Sequence, residues 1–474
     1  MASEHPARPE HDPARRRLLA TSMAGLALTA AGSTLLPGTV RADGATTAAG
    51  AAGARWQNWS GGQSVQPSAI FYPQNEADLA RIVKTAVPPI RPFGGSHSFA
   101  PLVPTPGTLV SLEQMTALTA HDPRALTATF TGGTRIAVAG EMLAAIGQNF
   151  FNEPDINLQS LAGAVSTATH GTGLGLQCLS AYVTQMKLVL ADGSVVTCSM
   201  DRDRELFEAA RVSMGTIGII AELTFRNMAA YKLREETQVM DIAEAMQHIE
   251  QRRNTDRHIE FFAFPYGGKA VVKRMNITTE ADTPPVEETI DQNQALEMAA
   301  DIVKAAPFTK GVIQKIVGAF ISDEVRVAPA HRMFPSPRTV QFNEMEYTVP
   351  ADQGIACLQE VIDTMRARDL PVFFPIEYRY VAADDIWMSP FGGRAGASIS
   401  IHQYARQDYR EVFDAVEPIL KKYEGRPHWG KLNTLTAKDL HARYPRFGDF
   451  LAVRKRVDPQ GRFLNTYMKT LFGA

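Results

Sequence analysis

A glycine-rich turn that follows an apolar, proline-punctuated run constrains this chain more than any other feature. Residues 87–93 have the composition of a short strand, and the turn after them reads Gly94-Gly95-Ser96-His97-Ser98-Phe99. Two adjacent glycines allow the backbone to adopt positive φ and to approach a bulky ligand. Backbone N–H groups in such a turn can converge on phosphate oxygens, beside the imidazole at its crest. The alternative is a strand-to-loop turn with a surface histidine, since so short a motif also occurs by chance.

Residues 92–99 resemble the FAD-pyrophosphate loop of the vanillyl-alcohol-oxidase type of flavoenzyme. More narrowly, they are similar to the aldonolactone oxidase (D-arabinono-1,4-lactone and L-gulonolactone oxidase) and alditol oxidase branch, in which the histidine of this loop carries FAD covalently through its 8α-methyl group. The resemblance therefore implies that FAD is attached to His97. It also implies FAD contacts from the rest of the loop, namely Phe93, Gly94, Gly95, Ser96 and Ser98.

A second cluster, residues 166–173, combines small hydroxyl side chains and glycines with one histidine. Such a segment can lie flat against a planar ring system and donate hydrogen bonds to it; a polar loop with a packed histidine is the alternative. By the resemblance, this segment and residues 215–220 pass along the FAD, and Thr172 faces the substrate. Residues 158–172 contain no cysteine, so a single covalent link is expected. The implied FAD contacts are Gly163, Thr169, His170, Gly171, Gly173, Gly215, Gly218 and Ile220.

Three further clusters carry side chains suited to the chemistry of a hydroxylated substrate. Alternation along an apolar strand places Glu377 and Arg379 on one face, either as a surface ion pair or as a site-facing pair. His402 is a candidate base, because imidazole titrates near neutral pH, and a packed core histidine is the alternative. Lys431 ends a His-Trp-Gly-Lys run that is a signature of the same branch, where a cation stabilises developing negative charge.

The resemblance implies that His402, Lys431, Glu377 and Arg379 are catalytic. It implies that Thr172, Glu377, Arg379, Tyr404 and Lys431 bind the substrate. Tyr404 departs from the pattern of the alditol oxidases, which have a threonine two residues after the histidine that corresponds to His402. A tyrosine would fill that space, which favours an aldonolactone or another hydroxylated ring or acid over xylitol-type substrates.

Composition excludes several other classes of function. The 474 residues carry a formal net charge of −2, so no basic surface for nucleic acid is expected. Three scattered cysteines predict neither a disulfide framework nor a metal site. The expected partners are a small sugar-derived substrate, O₂ or another electron acceptor, and the export machinery.

The N-terminus predicts export through a twin-arginine (Tat) signal peptide. Arg15, Arg16 and Arg17 precede a mildly apolar stretch over residues 20–36, and a small-x-small site follows at residues 40–42. The alternative is a disordered basic tail. We therefore expect a signal peptide over 1–42, a linker over 43–54, and a periplasmic or extracellular protein with no stable membrane span after cleavage.

The pattern of strands and helices predicts an α+β protein. The resemblance implies that residues 55–230 form a two-subdomain, PCMH-type FAD-binding domain. The pattern predicts a substrate domain over 231–474, built from an antiparallel sheet covered by helices. The segment from about residue 430 to 474 is expected to return to the FAD domain. Local patterns predict a helix over 140–150 and strands over 339–347, 371–381 and 396–404.

These expectations combine into an exported FAD-dependent oxidoreductase of the aldonolactone and alditol oxidase type. It would oxidise a C–OH group of a sugar lactone or polyol by hydride transfer to flavin N5, with O₂ accepting the electrons and giving H₂O₂. Alternatives are a dehydrogenase with another acceptor, an NADPH-dependent flavin reductase, and a non-catalytic flavin- or sugar-binding protein of the periplasm.

Overall fold

The computed structural model describes residues 54–284, 292–336 and 338–473. The predicted signal peptide and all but one residue of the predicted linker lie outside these residues, so export remains a prediction. In the described part of the chain, we find no helix with both the length and the apolar character that crossing a membrane requires.

The first part of the chain forms a three-stranded parallel sheet, in the order β3-β5-β4, and a five-stranded antiparallel sheet, in the order β10-β9-β11-β7-β6. Its strands are β1 Trp56–Gln57, β2 Ser64–Val65, β3 Ala69–Phe71, β4 Ile90–Phe93, β5 Thr108–Ser111, β6 Leu118–Asp122, β7 Thr127–Thr131, β8 Gln148–Asn149, β9 Val183–Val189, β10 Val195–Ser199, β11 Ile219–Arg226 and β12 Met228–Ala229. Its helices are α1 Glu76–Thr85, α2 Ile136–Ala145, α3 Leu161–Ser166 and α4 Arg204–Ala210.

The second part contributes every strand of an eight-stranded antiparallel sheet, in the order β16-β13-β15-β14-β18-β19-β17-β20. These strands are β13 Lys232–Asp241, β14 His258–Ala263, β15 Lys269–Thr278, β16 Glu324–Pro329, β17 Phe342–Pro350, β18 Ile376–Val381, β19 Gly396–Tyr404 and β20 Arg426–Pro427. The helices are α5 Ile242–Arg252, α6 Gln292–Ala305, α7 Lys310–Phe320, α8 Ala330–Met333, α9 Gly354–Ala367, α10 Arg410–Lys422, α11 Ala437–Arg443, α12 Phe447–Val457 and α13 Thr466–Phe472. Helices α5, α9 and α10 contact this sheet, as an antiparallel sheet covered by helices requires.

Three local predictions differ from the structure. The strand expected over 339–347 spans Phe342–Pro350 instead. The other two differ for identifiable reasons. The helix expected over 140–150 spans Ile136–Ala145 instead, because Gly147 adopts a φ of +73° just beyond its end. The strand expected over 371–381 begins only at Ile376, since Pro371 and Pro375 have no N–H to donate to a neighbouring strand.

The C-terminal residues lie against the first part of the chain. The carbonyl oxygen of Phe463 accepts a hydrogen bond from the buried guanidinium of Arg91 at 2.7 Å, and the Asn465 side chain donates to the carbonyl of Pro101 at 3.0 Å. The same guanidinium donates to the carbonyls of Met214 and Gly215, at 2.5 and 3.0 Å. Arg91 thus joins three separated segments, and β4, which it belongs to, leads directly into the glycine-rich turn.

Candidate active site

A deep cleft runs from the glycine-rich turn to strands β17, β18 and β19. It contains about 1510 Å³ that protein atoms do not fill, part of which is open to solvent. One end is lined by the turn and by the segments around residues 160–170 and 214–220. The other end is lined by charged side chains of the eight-stranded sheet, so one cleft has room for a large cofactor and a polar substrate.

The two glycines of the turn are required by packing. A Cβ on Gly94 would lie 2.0 Å from Oγ of Ser160, and one on Gly95 would lie 2.5 Å from the carbonyl oxygen of Leu158. The positive φ of the turn, +57°, falls on Ser96 and not on either glycine, which differs from the reason the sequence suggested. All six predicted residues of the loop, from Phe93 to Ser98, line the cleft.

His97 lies on the cleft wall with its Nδ1 buried and without a hydrogen-bond partner. Its ring centroid is 5.6 Å from that of Trp59. Burial lowers the pKa of His97 to about 4, and the positive charges of Lys431 and Arg135 add to this effect. The imidazole is therefore neutral at physiological pH, and its unpartnered nitrogen fits a bond to a group held in the cleft.

The predicted FAD contacts outside the glycine-rich turn fall into two groups, one that lines the cleft and one that does not. Gly163, Thr169, His170, Gly215, Gly218 and Ile220 line the cleft, and their contacts with FAD remain a prediction. Gly171, Thr172 and Gly173 do not line it. Oγ1 of Thr172 donates to the carbonyl of Ile259 at 2.5 Å, and the N–H of Gly173 donates to the carbonyl of Tyr380 at 2.7 Å. Beyond His170 the backbone is thus held by the eight-stranded sheet, away from the cleft.

At the substrate end, His402 is held in one tautomer. Its Nδ1 lies 3.1 Å from the carbonyl oxygen of Pro375, and because a carbonyl only accepts, Nδ1 carries the hydrogen in the neutral ring. Nε2 faces Glu344, 3.6 Å from Oε1, beyond hydrogen-bonding distance. Burial lowers the pKa of His402, and Arg338 and Lys431 lower it further, against the opposing charge of Glu344. His402 therefore presents an unprotonated Nε2 to the cleft.

Glu344 and Glu346, which sequence reasoning missed, neutralise the cations of the site. The Lys431 ammonium pairs with Oε2 of Glu344. Arg379 Nη2 lies 3.0 Å from Oε1 of Glu346. Burial alone would raise the pKa of Glu346, but Arg379 and His170 outweigh it and hold that pKa well below its usual value. Both acids occupy alternate positions of β17, a pattern that could have been recognised in the sequence.

The pKa of Glu377 is raised, whereas that of Glu346 is lowered. Burial raises the pKa of Glu377 to about 8, and the attraction of Arg379 only partly opposes this. Its Oε1 has no hydrogen-bond partner and lies 3.6 Å from Nε of Arg379. Glu377 is therefore mostly protonated at neutral pH, so it can both donate and accept hydrogen bonds.

Further charged or ionisable side chains complete the substrate end. Asp155 and Arg338 form an ion pair at 2.5 Å, and His428 lines the cleft beside Lys431. None of these three was singled out from the sequence, although His428 belongs to the His-Trp-Gly-Lys run. Glu344, Glu377 and His402 place their ligand atoms within 4.8 Å of one another, a geometry able to hold a cation, and Lys431 supplies a positive charge there.

Tyr404 does not line the cleft. Its hydroxyl donates to Oδ1 of Asp301 on α6 at 2.9 Å, and its ring packs beside Phe374. The structure thus gives Tyr404 a place in an aromatic cluster behind His402, whereas the sequence predicted a substrate contact. The argument that its bulk selects lactones therefore loses its basis.

Comparison with known proteins identifies two matching families and several similar enzymes. Residues 223–471 match the family described as D-arabinono-1,4-lactone oxidase, and residues 67–199 match the FAD binding domain family. The chain is 35% identical to the L-gulono-1,4-lactone dehydrogenase of Mycobacterium tuberculosis, over 88% of this chain and 99% of that protein. It is 28% identical to the alditol oxidase of a Streptomyces species, over 87% and 98%, and 25% identical to the L-gulonolactone oxidase of Bos taurus, over 89% and 98%.

Among solved structures, cholesterol oxidase from B. sterolicum superposes with a TM-score of 0.76 at 16% identity, covering 88% of this chain and 96% of that one. At this identity the similarity concerns the fold alone. It confirms the predicted α+β, PCMH-type architecture.

Proposed function

The chain belongs to the D-arabinono-1,4-lactone oxidase family of FAD-dependent enzymes, and we propose that it oxidises a C–OH group of a small sugar lactone or polyol. The observation that carries the proposal is the single-tautomer His402, whose free Nε2 faces the cleft beside Lys431 and Glu377. The relatives named for L-gulono-1,4-lactone favour a lactone as the substrate, and the alditol oxidase relative favours a polyol.

In the proposed reaction, Nε2 of His402 accepts the proton of the substrate hydroxyl. The carbonyl of Pro375 holds the opposite nitrogen, so that the proton enters on the cleft side. The carbon–hydrogen bond of the same carbon breaks with its electron pair, and the substrate becomes a carbonyl compound. FAD, when bound, supplies the acceptor for that hydride.

The remaining charged groups orient the substrate and stabilise charge. Lys431 carries a positive charge toward the oxygen that loses its proton, while Glu344 holds the ammonium in place. Arg379 is fixed by Glu346 and directs its remaining N–H groups toward substrate hydroxyls. Glu377, neutral at physiological pH, donates a hydrogen bond to a hydroxyl or carbonyl oxygen and accepts another.

We propose that His97 carries the FAD covalently. The support is its neutral imidazole, with a buried and unpartnered Nδ1 on the cleft wall. Acid precipitation of the purified protein tests the proposal, because a covalent flavin stays in the pellet. We expect a yellow pellet from the wild type and a colourless one from His97→Ala. Flavin released from the wild type would refute the covalent link while leaving the cofactor in place.

Anaerobic reduction tests the oxidation itself. Addition of L-gulono-1,4-lactone, D-arabinono-1,4-lactone or xylitol should bleach the flavin absorbance, and the rate should fall by about 10²–10⁴-fold in His402→Gln. The control is Gln407→Ala, a change in the loop that follows β19 and outside the residues that line the cleft. If none of these compounds bleached a fully loaded flavin, a non-catalytic binding protein would be favoured.

We propose O₂ as the electron acceptor, with two electrons and two protons giving H₂O₂. A second candidate, a dehydrogenase with another acceptor, is favoured by the name of the relative at 35% identity. Turnover with an oxygen electrode and with an artificial dye acceptor distinguishes the two. We also propose export through the N-terminal segment, and a reporter fused after residue 54 should reach the periplasm only if Arg15–Arg17 are intact.

A further inference from the structure

A short stretch between β1 and β2, which we name the 58–60 segment, is fastened to the glycine-rich turn on both sides of its histidine. The N–H of Trp59 donates to the carbonyl of Ser96 at 2.8 Å. The side-chain amide of Asn58 donates to the carbonyl of Ser98 at 3.0 Å. Because these two carbonyls belong to the residues before and after the histidine, the segment fixes the backbone from which the imidazole projects.

The side chain of Trp59 contacts the imidazole itself. The centroids of the Trp59 and His97 rings lie 5.6 Å apart, and the two ring planes are inclined by 31°. This separation is within the range of attractive aromatic pairs, so the contact restricts rotation of the imidazole about its side-chain bonds. Nδ1 of His97 has no hydrogen-bond partner among the described residues. The ring contact, and not a hydrogen bond at that nitrogen, therefore orients the imidazole.

The 58–60 segment is also tied to strand β17, which carries acids of the substrate end. Nε2 of Gln341, just before the strand, donates to the carbonyl of Trp59. Oγ of Ser60 donates to Oδ1 of Asn343 at 3.2 Å. The ring of Phe342 is inclined by 74° to the indole, with 5.1 Å between the centroids. The indole that contacts the imidazole is thus itself held by a strand of the substrate end.

We propose that Trp59 is a positioning residue that orients His97 for its bond to FAD. The inference rests on the covalent link proposed above. Bond formation requires that one imidazole nitrogen stay aligned with the 8α-methyl carbon of the flavin, and a ring free to rotate would spend little time in that geometry. Trp59 does not line the cleft, so it acts through the imidazole and not on the flavin.

The attachment step joins an imidazole nitrogen of His97 to the 8α carbon. The N–H bond of the imidazole and one C–H bond of the methyl group break, and the flavin takes up the two electrons and the two protons. O₂, the acceptor proposed above, then reoxidises the flavin and becomes H₂O₂. The neutral imidazole has a lone pair for the new bond, and the indole keeps that lone pair aimed in one direction.

The rate of flavin attachment tests the proposal. Full-length protein is purified at intervals after induction, and the fraction of its bound flavin that stays in the acid pellet is measured. Trp59→Met, which replaces the ring by a flexible apolar chain, should slow attachment by about 10- to 100-fold, with FAD still bound but released by acid. Trp59→Phe keeps a ring against the imidazole and should stay within about threefold of the wild type. The control is Tyr409→Leu, which removes a partly buried ring outside the cleft and should leave attachment unchanged.

Equal attachment rates in the wild type and Trp59→Met would overturn the inference and leave the covalent link intact. Equal slowing in Trp59→Phe and Trp59→Met would also overturn it, because the ring contact would then have no role. Acid release of FAD from the wild type would refute the covalent link, and the inference with it. If Trp59→Met does not fold, Phe342→Leu removes the ring packed against the indole and should slow attachment by about tenfold; an unchanged rate there would overturn the inference.

Discussion

Nε2 of His170 lies 2.8 Å from Oε1 of Glu346, and both side chains are buried. This contact joins the segment that lines the cofactor end of the cleft to strand β17 at the substrate end. Arg379 reaches the same oxygen from β18. One carboxylate thus links the two ends of the cleft.

Replacement of Glu346 by alanine should be strongly destabilising. Among the described residues, it would leave the buried Arg379 guanidinium with Glu377, at 3.6 Å, as its remaining ion-pair partner. Removing one partner of a buried ion pair costs about 3–5 kcal/mol of unfolding free energy. Chemical denaturation should show this loss. Glu141→Ala breaks the exposed pair with Arg332 and should cost less than about 1 kcal/mol; equal losses would mean that Glu346 has no special structural role.

The pH dependence of kcat/KM should have an alkaline limb near pH 8. The pKa of Glu377 is raised to about 8, so above that pH the side chain becomes a carboxylate and no longer donates a hydrogen bond to the substrate. On the acid side, the lowered pKa of His402 should keep activity constant to below about pH 6.5. Glu377→Gln keeps the donor and cannot ionise, so its alkaline limb should disappear. If the alkaline limb were unchanged in this variant, the group that titrates there would not be Glu377.

Glu153 provides a test of stability away from the cleft. It is buried, its Oε1 is unpartnered, and burial raises its pKa to about 8. The folded protein thus retains a proton that the unfolded chain releases above about pH 4.3, so the unfolding free energy falls by about 1.4 kcal/mol per pH unit up to about pH 8.

Glu153→Gln removes this dependence. The Tm of the variant relative to the wild type should therefore be higher at pH 8 than at pH 5. Glu424→Gln, at a side chain that is 74% exposed, should give the same difference at both pH values. A Glu153→Gln difference that did not change with pH would mean that Glu153 is ionised in the folded protein.

Tyr404→Phe distinguishes a structural tyrosine from one that binds substrate. Its hydroxyl donates to Asp301 outside the cleft, so KM should stay within about twofold of the wild type while stability falls by about 1 kcal/mol. Steady-state kinetics and thermal unfolding measure the two effects. A large rise in KM with unchanged Tm would restore the substrate contact that the sequence suggested.

Much of the cleft could be predicted from the sequence, because its elements are short and carry distinctive residues. The glycine turn fixes His97, and two-residue alternation correctly placed Glu377 and Arg379 on one face of β18. The same rule would have found Glu344 and Glu346. They were missed because acids on a strand are ordinarily taken as its exposed face, and β17 is buried on both faces.

Other features depend on tertiary contacts that local patterns do not encode. Thr172 lies two residues after His170, which lines the cleft, yet its hydroxyl donates to the carbonyl of Ile259 on β14, 87 residues along the chain. Helix α7 was not predicted at all. Its inward side carries the buried Lys310 and Gln314 beside the apolar Ile313 and Val317, and only the packed structure reveals this.

The guanidinium of Arg91 holds carbonyls from residues 102, 214, 215 and 463 at once. The last of these lies 372 residues along the chain from Arg91. A nascent chain therefore lacks one of the contacts that fix the strand leading into the glycine turn. The strand that leads into the glycine turn is therefore fully held only once residue 463 has been synthesised.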